Sequence, residues 1–312
     1  MKNQPFKIAI ASGKGGTGKT TVAVNLHHFL AAETPESILL VDCDVEEPND
    51  LLFYPDAEKT GQEEVTRLVP EIRTEACTFC RKCVDYCEFN ALVVIPPVEF
   101  AEVNKELCHS CGACSVACEY GAIVEKPEPI GSIATYRSQK GAKLMEGTLK
   151  VGSSMQTMLI RSLKKAARGK ANLLLFDSPP GTSCPVVTTI SDADYVILVT
   201  EPTPFGLYDL QLTVSMVREV GKSFGVIVNK SGLGDDGVYR YLEEEDIELL
   251  GEIPFEQAYA RRYAEGALLA DIPESVAGRY RELTGKILAQ RVAAGDTRGV
   301  RSGYPEKRTP KR

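Results

Sequence analysis

Glycine, lysine and threonine recur at fixed spacing near the start of this 312-residue sequence, in the stretch Gly13-Lys14-Gly15-Gly16-Thr17-Gly18-Lys19-Thr20-Thr21. The pattern G-x-x-x-x-G-K-[ST] is complete from Gly13 to Thr20. In such a loop, backbone N–H groups surround phosphate oxygens, the lysine reaches the β- and γ-phosphates, and the next hydroxyl binds Mg²⁺. The stretch is therefore predicted to bind a nucleotide, with Lys19 on the phosphates and Thr20 on magnesium. A glycine-rich turn without a ligand is the alternative.

Cysteines are the second group of residues that could carry chemistry, because eight of the ten lie between positions 77 and 118. They make two runs with the spacing C-x2-C-x2-C-x3-C, and the second run follows the first at a constant offset of 31 residues. The runs are Cys77, Cys80, Cys83 and Cys87, then Cys108, Cys111, Cys114 and Cys118. This density predicts metal binding rather than disulfides in an intracellular chain. Zinc is the alternative to iron–sulfur clusters, since zinc sites also use C-x2-C pairs.

Acidic residues form the third group, and each follows a short apolar run. Asp42 ends the run Ile38 to Val41, Asp44 comes two residues later, and Asp177 ends the run Leu173 to Phe176. The runs read as buried strands, and open α/β sheets bind ligands at the carboxyl ends of their strands. These carboxylates are therefore expected near the nucleotide. The remaining cysteines, Cys43 and Cys184, flank these motifs and are predicted to be small buried side chains.

The elements that must position these residues alternate between strand and helix. A strand at 6–11 and a helix at 21–32 enclose the glycine-rich loop, and 155–168 reads as another helix. Further strands are predicted at 195–200, 224–229 and 247–253, followed by a closing helix at 273–293. This order predicts an α/β fold with a doubly wound, mostly parallel sheet.

The cysteine runs interrupt that order. Residues 51–71 read as helix and loop, and 131–154 read as a hairpin that returns to the main sheet. The predicted domains are therefore a discontinuous unit at 1–70 and 127–293 and an inserted unit at 71–126. The polar tail 294–312, which is basic at its end, is predicted to be disordered.

Composition excludes several functional classes. Hydrophobic residues make up 43% and charged residues 25% of the chain, as in globular proteins. The formal charge of −7 gives no basic footprint for nucleic acid. No run approaches the roughly 18 apolar residues of a membrane span. The expectations are a cytoplasmic protein, no nucleic-acid partner and no stable membrane anchor.

The string Gly-Lys-Gly-Gly-Thr-Gly-Lys-Thr, with its early second lysine, resembles the deviant Walker A motif of the MinD, ParA and Mrp ATPases. The resemblance implies that Lys14 reaches the nucleotide of a dimer partner, whether a second copy or a related ATPase. Asp42-Cys43-Asp44 resembles the Walker A′ segment, so Asp44 would orient the attacking water. Asp-x-Pro-Pro-Gly from Asp177 to Gly181 resembles the Walker B and switch region, in which Gly181 senses the γ-phosphate.

The same resemblance implies the remaining site residues. Asn229, at a strand end, would contact adenine. The implied catalytic residues are Lys14, Lys19 and Asp44, and the implied magnesium ligands are Thr20, Asp42 and Asp177.

The cysteine runs resemble a bacterial two-cluster ferredoxin of α+β fold, in which the fourth cysteine of each run binds the other run's 4Fe-4S cluster. One cluster would be bound by Cys77, Cys80, Cys83 and Cys118, and the other by Cys108, Cys111, Cys114 and Cys87. The sequence departs from that family by having Glu88 and Glu119 where proline usually follows the fourth cysteine. The departure removes no ligand.

Together these resemblances predict a MinD/Mrp-type P-loop ATPase with an inserted ferredoxin domain, two 4Fe-4S clusters, ATP and Mg²⁺. One expected function is electron transfer coupled to nucleotide-driven dimer rearrangement, with a redox protein as partner. The alternative is an assembly factor for iron–sulfur or other metallocofactors. Mrp-type carriers share a labile cluster through a C-terminal C-x-x-C, and no cysteine follows Cys184 here. A MinD- or ParA-like positioning role is a weaker third possibility, because neither an amphipathic tail nor a basic face is evident.

Overall fold

The computed structural model describes residues 5–34, 37–269 and 272–297. The strands are β1 (Phe6–Ala11), β2 (Ile38–Asp42), β3 (Ala57–Ile72), β4 (Leu92–Ile95), β5 (Phe100–Val103), β6 (Ile123–Ser138), β7 (Lys143–Leu149), β8 (Leu173–Asp177), β9 (Tyr195–Thr200), β10 (Phe224–Ser231) and β11 (Leu249–Pro254). The helices are α1 (Lys19–Glu33), α2 (Lys82–Asp85), α3 (Ala113–Ala117), α4 (Gln156–Ala167), α5 (Cys184–Ile190), α6 (Pro204–Glu219), α7 (Gly237–Glu244), α8 (Gln257–Ala264) and α9 (Glu274–Thr297).

A nine-stranded sheet organises the molecule, in the order β11-β10-β9-β1-β8-β2-β7-β6-β3. The pairs from β11 to β7 are parallel, whereas β6 pairs antiparallel with both β7 and β3. The parallel strands are short apolar runs because helices cover both of their faces. The predicted doubly wound, mostly parallel sheet is confirmed.

Two hydrophobic cores lie on opposite faces of the sheet. On one face, α1, α8 and α9 pack through buried residues that include Phe29, Tyr259 and Tyr280. On the other face, α4, α5, α6 and α7 contribute buried residues such as Leu163 and Val214. The parallel strands are thus fixed between helices, so their carboxyl ends form one rigid edge.

The prediction of helix and loop for residues 51–71 is wrong from residue 57 onward. A short 3-10 turn at Asp50–Phe53 is followed by β3, whose 16 residues pair with β6 from Ala57↔Ser138 to Ile72↔Ile123. Most side chains of β3 are exposed, because β3 is the edge strand of the sheet. Its polar sequence therefore lacks the apolar alternation that reveals a half-buried strand.

The β3–β6 ribbon also changes how the insert is attached. Both strands run without a break across the predicted boundaries at 71 and 127, so no loop separates the two units. The ribbon's register shifts between Val65 and Thr66, opposite the buried Ile130. Pro127 and Pro129 lie in β6 beyond that bulge, where β6 pairs only with β3 and its other side is a free edge, the kind of strand in which proline is tolerated.

Between these strands the insert contains the β4–β5 hairpin and the short helices α2 and α3. The 31-residue sequence repeat is also a backbone repeat. Positive φ angles occur at 55° and 56° for Phe79 and Ser110, and at 68° and 75° for Arg81 and Gly112. Helices α2 and α3 start at equivalent positions of the two halves. The insert is therefore an α+β unit built from two similar halves.

Residues 131–168 form the elements that were predicted for them. The predicted hairpin at 131–154 is present as β6 and β7, and the predicted helix at 155–168 is α4.

Helix α9 continues to Thr297, so the prediction of a disordered tail is wrong for residues 294–297. The rest of that prediction lies outside the described residues. Within the described ranges, no helix is both long and apolar enough to cross a bilayer.

Candidate functional site

The glycine-rich loop connects β1 to α1 at the carboxyl edge of the sheet, as predicted. Gly18 has φ +89°, and a Cβ on it would lie 2.0 Å from the Asn229 side-chain nitrogen. Only glycine fits this position, since it tolerates the left-handed backbone and leaves room for Asn229. The loop forms one wall of a cleft of about 450 Å³ lined by Ser12, Lys14 to Thr21, Asp44, Glu47, Asn49, Pro180, Asn229, Lys230 and residues of β11 and α8.

Lys19 and Thr20 both contact Asp177, the last residue of β8. The Lys19 Nζ donates to Asp177 Oδ1 at 2.8 Å, and the Thr20 hydroxyl donates to Asp177 Oδ2 at 2.9 Å. Burial lowers the pKa of Lys19, but the charge of Asp177 and this hydrogen bond outweigh it, so the pKa lies above its usual value. The predicted phosphate lysine and two of the predicted magnesium ligands are thus in direct contact.

Asp42 ends β2 beside Asp177, because the two residues are register partners. Its carboxylate accepts backbone N–H groups from Asp44 at 3.0 Å, Asn49 at 2.8 Å and Asp50 at 3.0 Å. Burial, followed by the charge of Asp177, raises the pKa of Asp42 to about 7. Asp42 therefore shapes the loop that carries Asp44. Asp44 lines the cleft, and burial raises its pKa to about 6.

Asp50 also lies at this site, although no sequence pattern predicted it. It is 2% exposed, and neither of its carboxylate oxygens has a hydrogen-bond partner among the described residues. Carboxylate oxygens of Asp42, Asp50 and Asp177 lie within 4.8 Å of one another. Burial and the charges of Asp42 and Asp177 raise the pKa of Asp50 well above its usual value. No motif marks Asp50, because an aspartate at the start of a turn reads as an ordinary cap.

Lys14 lies on the rim of the cleft and forms an ion pair with Glu201, with 2.6 Å between Nζ and Oε1. Lys230 contacts the other Glu201 oxygen at 3.1 Å and donates to the Gly16 carbonyl at 2.8 Å. Burial raises the pKa of Glu201, but the hydrogen bonds from both lysines more than offset it and leave the pKa below its usual value. Glu201 was also missed, although it directly follows the strand predicted at 195–200, where the strand-end rule could have found it.

Asn229 lines the cleft, and its side chain donates to the Thr17 carbonyl at 2.7 Å. It therefore supports the glycine-rich loop. Beyond it, an apolar wall formed by β11, α8 and the connection between them includes Ile253, Phe255 and Tyr259. A flat ring system could pack on this wall. The sequence did not predict the wall itself.

Two further motif residues lie near the loop. The Gly181 N–H donates to the Ser12 carbonyl at 3.0 Å, which places the predicted switch segment against the glycine-rich loop. Cys43 is fully buried, as predicted, whereas Cys184 is exposed at the start of α5, so the prediction of burial is wrong there.

The eight cysteines of the insert line two separate cavities, and each cavity takes three cysteines from one run and one from the other. The first is lined by Cys77, Cys80, Cys83 and Cys118, and the second by Cys108, Cys111, Cys114 and Cys87. These are the two sets that the sequence resemblance implied. Burial, followed by the charges of Cys114 and Cys77, raises the pKa of Cys83 to about 11, so ionised thiols here need a compensating positive charge.

Backbone N–H groups point at sulfur in both halves of the insert. Phe79 donates to Cys77 Sγ at 3.4 Å, and Ser110 donates to Cys108 Sγ at 3.4 Å. Ala91 donates to Cys87 Sγ at 3.3 Å. Such contacts stabilise negative charge on sulfur, as thiolate ligands require. Phe79 and Ser110 also share a positive φ, so the two halves have the same loop geometry at these contacts.

Comparisons with known proteins agree with this geometry. Residues 8–269 match the family described as the CobQ/CobB/MinD/ParA nucleotide binding domain. An uncharacterised protein of Methanocaldococcus jannaschii is 32% identical over 283 residues, which is 90% of this chain and 96% of that protein. An iron-sulfur cluster carrier protein of Pyrococcus abyssi is 27% identical over 273 residues, covering 82% of this chain and 76% of that one.

Among solved structures, the septum site-determining protein MinD of Pyrococcus horikoshii, complexed with Mg-ADP, superimposes with a TM-score of 0.58. It is 19% identical, and the match covers 93% of this chain and 98% of that one. This likeness concerns the fold. Because the family match spans most of the chain and includes the glycine-rich loop, the chain belongs to the CobQ/CobB/MinD/ParA nucleotide-binding domain family.

Proposed function

We propose that this protein is a magnesium-dependent ATPase that couples a nucleotide-driven dimer rearrangement to electron transfer through two 4Fe-4S clusters. The observation that carries the proposal is the presence, in one chain, of the Lys19–Thr20–Asp177 constellation and of two cavities that are each lined by four cysteines. Neither half alone distinguishes this protein from a simple ATPase or a simple electron carrier.

In the nucleotide half, each role follows from position. The N–H groups of the glycine-rich loop and the Lys19 ammonium face the cleft and would stabilise the charge on the phosphates. Thr20 and Asp177 would hold Mg²⁺, which neutralises developing phosphate charge, and the crowded carboxylates of Asp42, Asp50 and Asp177 fit a divalent cation nearby. Asp44, positioned by Asp42, would orient the attacking water.

In the cysteine half, spacing favours a cluster over zinc. Four sulfurs bound to one zinc ion at about 2.3 Å would lie about 3.8 Å from one another. Among the described residues, the one group of three or more potential ligands whose atoms all lie within 4.8 Å is the aspartate trio, so neither cysteine set is that compact. A four-iron cluster is larger than an ion and suits the wider spacing. When bound, such clusters accept and donate single electrons.

The alternative is an assembly factor that passes on iron–sulfur clusters, and the name of the Pyrococcus abyssi relative favours it. Against it, each cavity is completed by four cysteines of the same chain, which suits clusters that are retained. The two functions differ in whether iron leaves the protein.

A transfer experiment therefore tests the proposed function. After anaerobic reconstitution, both clusters are expected to stay bound during incubation with an iron chelator and an apo-ferredoxin, with or without ATP, and to be reduced and reoxidised reversibly. Iron and sulfide analysis after separation of the two proteins measures this. ATP-stimulated transfer of iron to the apo-ferredoxin would instead support the assembly function.

The proposed dimer partner is a second copy of this chain. Lys14 lies at the rim with 31% of its side chain exposed, and its Nζ is 5.9 Å from the ring centre of Phe205, which is 77% exposed. A lysine and an exposed aromatic ring at the same rim offer an ionic and an apolar contact to a partner that covers the nucleotide.

Replacing Lys14 by alanine is expected to abolish dimerisation induced by a non-hydrolysable ATP analogue while nucleotide binding remains. Light scattering coupled to size-exclusion chromatography measures the mass. The matched control is Glu201→Gln, which releases Lys14 without removing it and should still dimerise. Equal dimerisation of Lys14→Ala and wild type would contradict the role of Lys14, and a wild-type chain that stays monomeric would favour a related ATPase as partner.

Backbone contacts support the proposed coupling between the two halves. The Leu149 N–H donates to the carbonyl of Val45, the residue after Asp44, at 2.7 Å. The next residue, Lys150, donates to the Ile130 carbonyl at 2.8 Å, beside the bulge of the β3–β6 ribbon. A movement of the Asp44 loop would therefore act on the ribbon that carries the insert.

A further inference from the structure

Arg67 lies on β3, just beyond the bulge of the β3–β6 ribbon, and contacts the cysteine-bearing loop of the insert. Its Nη1 donates to the Cys108 carbonyl at 2.8 Å, and its Nη2 donates to the Lys105 carbonyl at 2.8 Å. Its side chain is 8% exposed. Two hydrogen bonds from a planar guanidinium fix both the distance and the orientation of the loop that carries Cys108.

The charge of Arg67 is only partly neutralised. Its cross-strand partner Glu128 has a carboxylate oxygen 3.7 Å from Nη2, which is too long for a hydrogen bond. Among the described residues, the Arg67 Nε and that Glu128 oxygen have no hydrogen-bond partner. The hydrogen bonds of the guanidinium are therefore made to the carbonyls of the Cys108 loop, in a poorly solvated position.

The other cavity has no equivalent feature among the described residues. Position 77 corresponds to Cys108 in the repeat, and no described arginine or lysine donates to the Cys77 carbonyl. Arg81 and Lys82 line that cavity, and Arg73 donates to the Gly121 carbonyl at 2.6 Å, but all three side chains are exposed to solvent. Water screens such a charge strongly. The repeat is thus symmetric in its cysteines and asymmetric in its buried charge.

We propose that Arg67 is a positioning residue that raises the reduction potential of the cluster held by Cys87, Cys108, Cys111 and Cys114, and not that of the other cluster. The inference rests on the proposed iron–sulfur function. A reduced cluster carries one more negative charge than an oxidised cluster, so a nearby buried cation stabilises the reduced form. Cys108 and Cys114 are each 7% exposed, and this burial by itself disfavours added negative charge. Arg67 offsets that effect.

The test is a redox titration of reconstituted protein monitored by EPR, in wild type, Arg67→Gln and Arg67→Lys. Signals are assigned with Cys80→Ser and Cys111→Ser, which each remove an exposed ligand from one cluster. In Arg67→Gln, the reduced-to-oxidised ratio of the second cluster at a fixed potential should fall about tenfold, or about 59 mV for one electron. In Arg67→Lys, which keeps the positive charge, the reduced-to-oxidised ratio of the second cluster should fall less. The first cluster should not shift, and neither cluster should shift in the control Arg73→Gln.

Unchanged potential of the second cluster in Arg67→Gln, or an equal shift of both clusters, would overturn the inference. If Arg67→Gln fails to retain the second cluster, the potentials measured in Arg67→Lys are used instead. A lower reduction potential of the second cluster alone in Arg67→Lys supports the inference, and a wild-type potential in that variant overturns it. Loss of that cluster from both variants would assign Arg67 a purely structural role and also overturn it. Wild-type protein without iron would defeat the proposed function itself, which is a different result.

Discussion

Replacing Lys19 by alanine is expected to lower the rate of ATP hydrolysis at least about a hundredfold, because a preorganised charge on the β- and γ-phosphates is lost. The same change leaves Asp177 buried without its lysine, which costs about 3–5 kcal/mol of folding free energy. Phosphate release measures the rate, and thermal unfolding shows whether the inactive variant is folded. The matched control is Lys165→Ala, which removes an exposed lysine of α4 and should leave hydrolysis unchanged.

Asp44→Ala separates the chemistry from the fold. Asp44 forms no ion pair with Lys19 in the structure, so this variant should keep the Lys19–Asp177 pair and bind nucleotide with nearly normal affinity. Hydrolysis should nevertheless be lost, because the attacking water is no longer oriented. Normal hydrolysis by Asp44→Ala would show that another residue orients the water, and normal hydrolysis by Lys19→Ala would refute the role of Lys19 on the phosphates.

The second large effect is expected at the crossed cysteines. Cys118→Ser should lose the cluster of Cys77, Cys80 and Cys83, although Cys118 lies in the other run of the sequence. The protein should then contain about half of the wild-type iron and sulfide. Cys87→Ser should lose the cluster of the second run. The reason is that each cavity is completed by the fourth cysteine of the opposite run. Iron and sulfide analysis and EPR of the reduced variants measure these losses.

Double variants make the crossing unambiguous. Cys118→Ser combined with Cys80→Ser should lose no more iron than either single variant, because both remove ligands of the same cluster. Cys118→Ser combined with Cys111→Ser should lose both clusters. Cys184→Ser, which changes an exposed cysteine outside both cavities, is the control and should retain all the iron. Loss of both clusters from the double variant that combines Cys118→Ser with Cys80→Ser would contradict the crossed arrangement.

The glycine-rich loop and the buried strands were predictable because their signals are local. Gly18 must adopt a left-handed backbone, and Lys19 must follow it to begin α1, so sequence and geometry coincide within a few residues. Asp42 and Asp177 were both predicted to lie near the nucleotide because parallel strands end at one edge of the sheet, and the structure shows that they are register partners. Short apolar runs are reliable indicators of strands that helices cover on both faces.

The strand β3 and Asp50 were not predicted, because their roles depend on partners far away in the chain. β3 is a strand only because β6, whose paired residues lie 51 to 81 positions later, supplies its hydrogen bonds, and the exposed polar side chains of β3 give no local sign of this. Asp50 becomes a buried carboxylate only where β2 and β8 bring Asp42 and Asp177 beside it.

The sequence by itself determined the phosphate loop, the strand-end aspartates, the parallel sheet and the eight cysteines with their repeat, since each is written in residue type and short-range spacing. The tertiary structure alone decided that a continuous ribbon joins the two units and that Arg67 donates to the loop of Cys108 and not to that of Cys77. The physical reason is that edge-strand pairing and the burial of a charge arise from long-range packing, which leaves no periodic pattern in the chain.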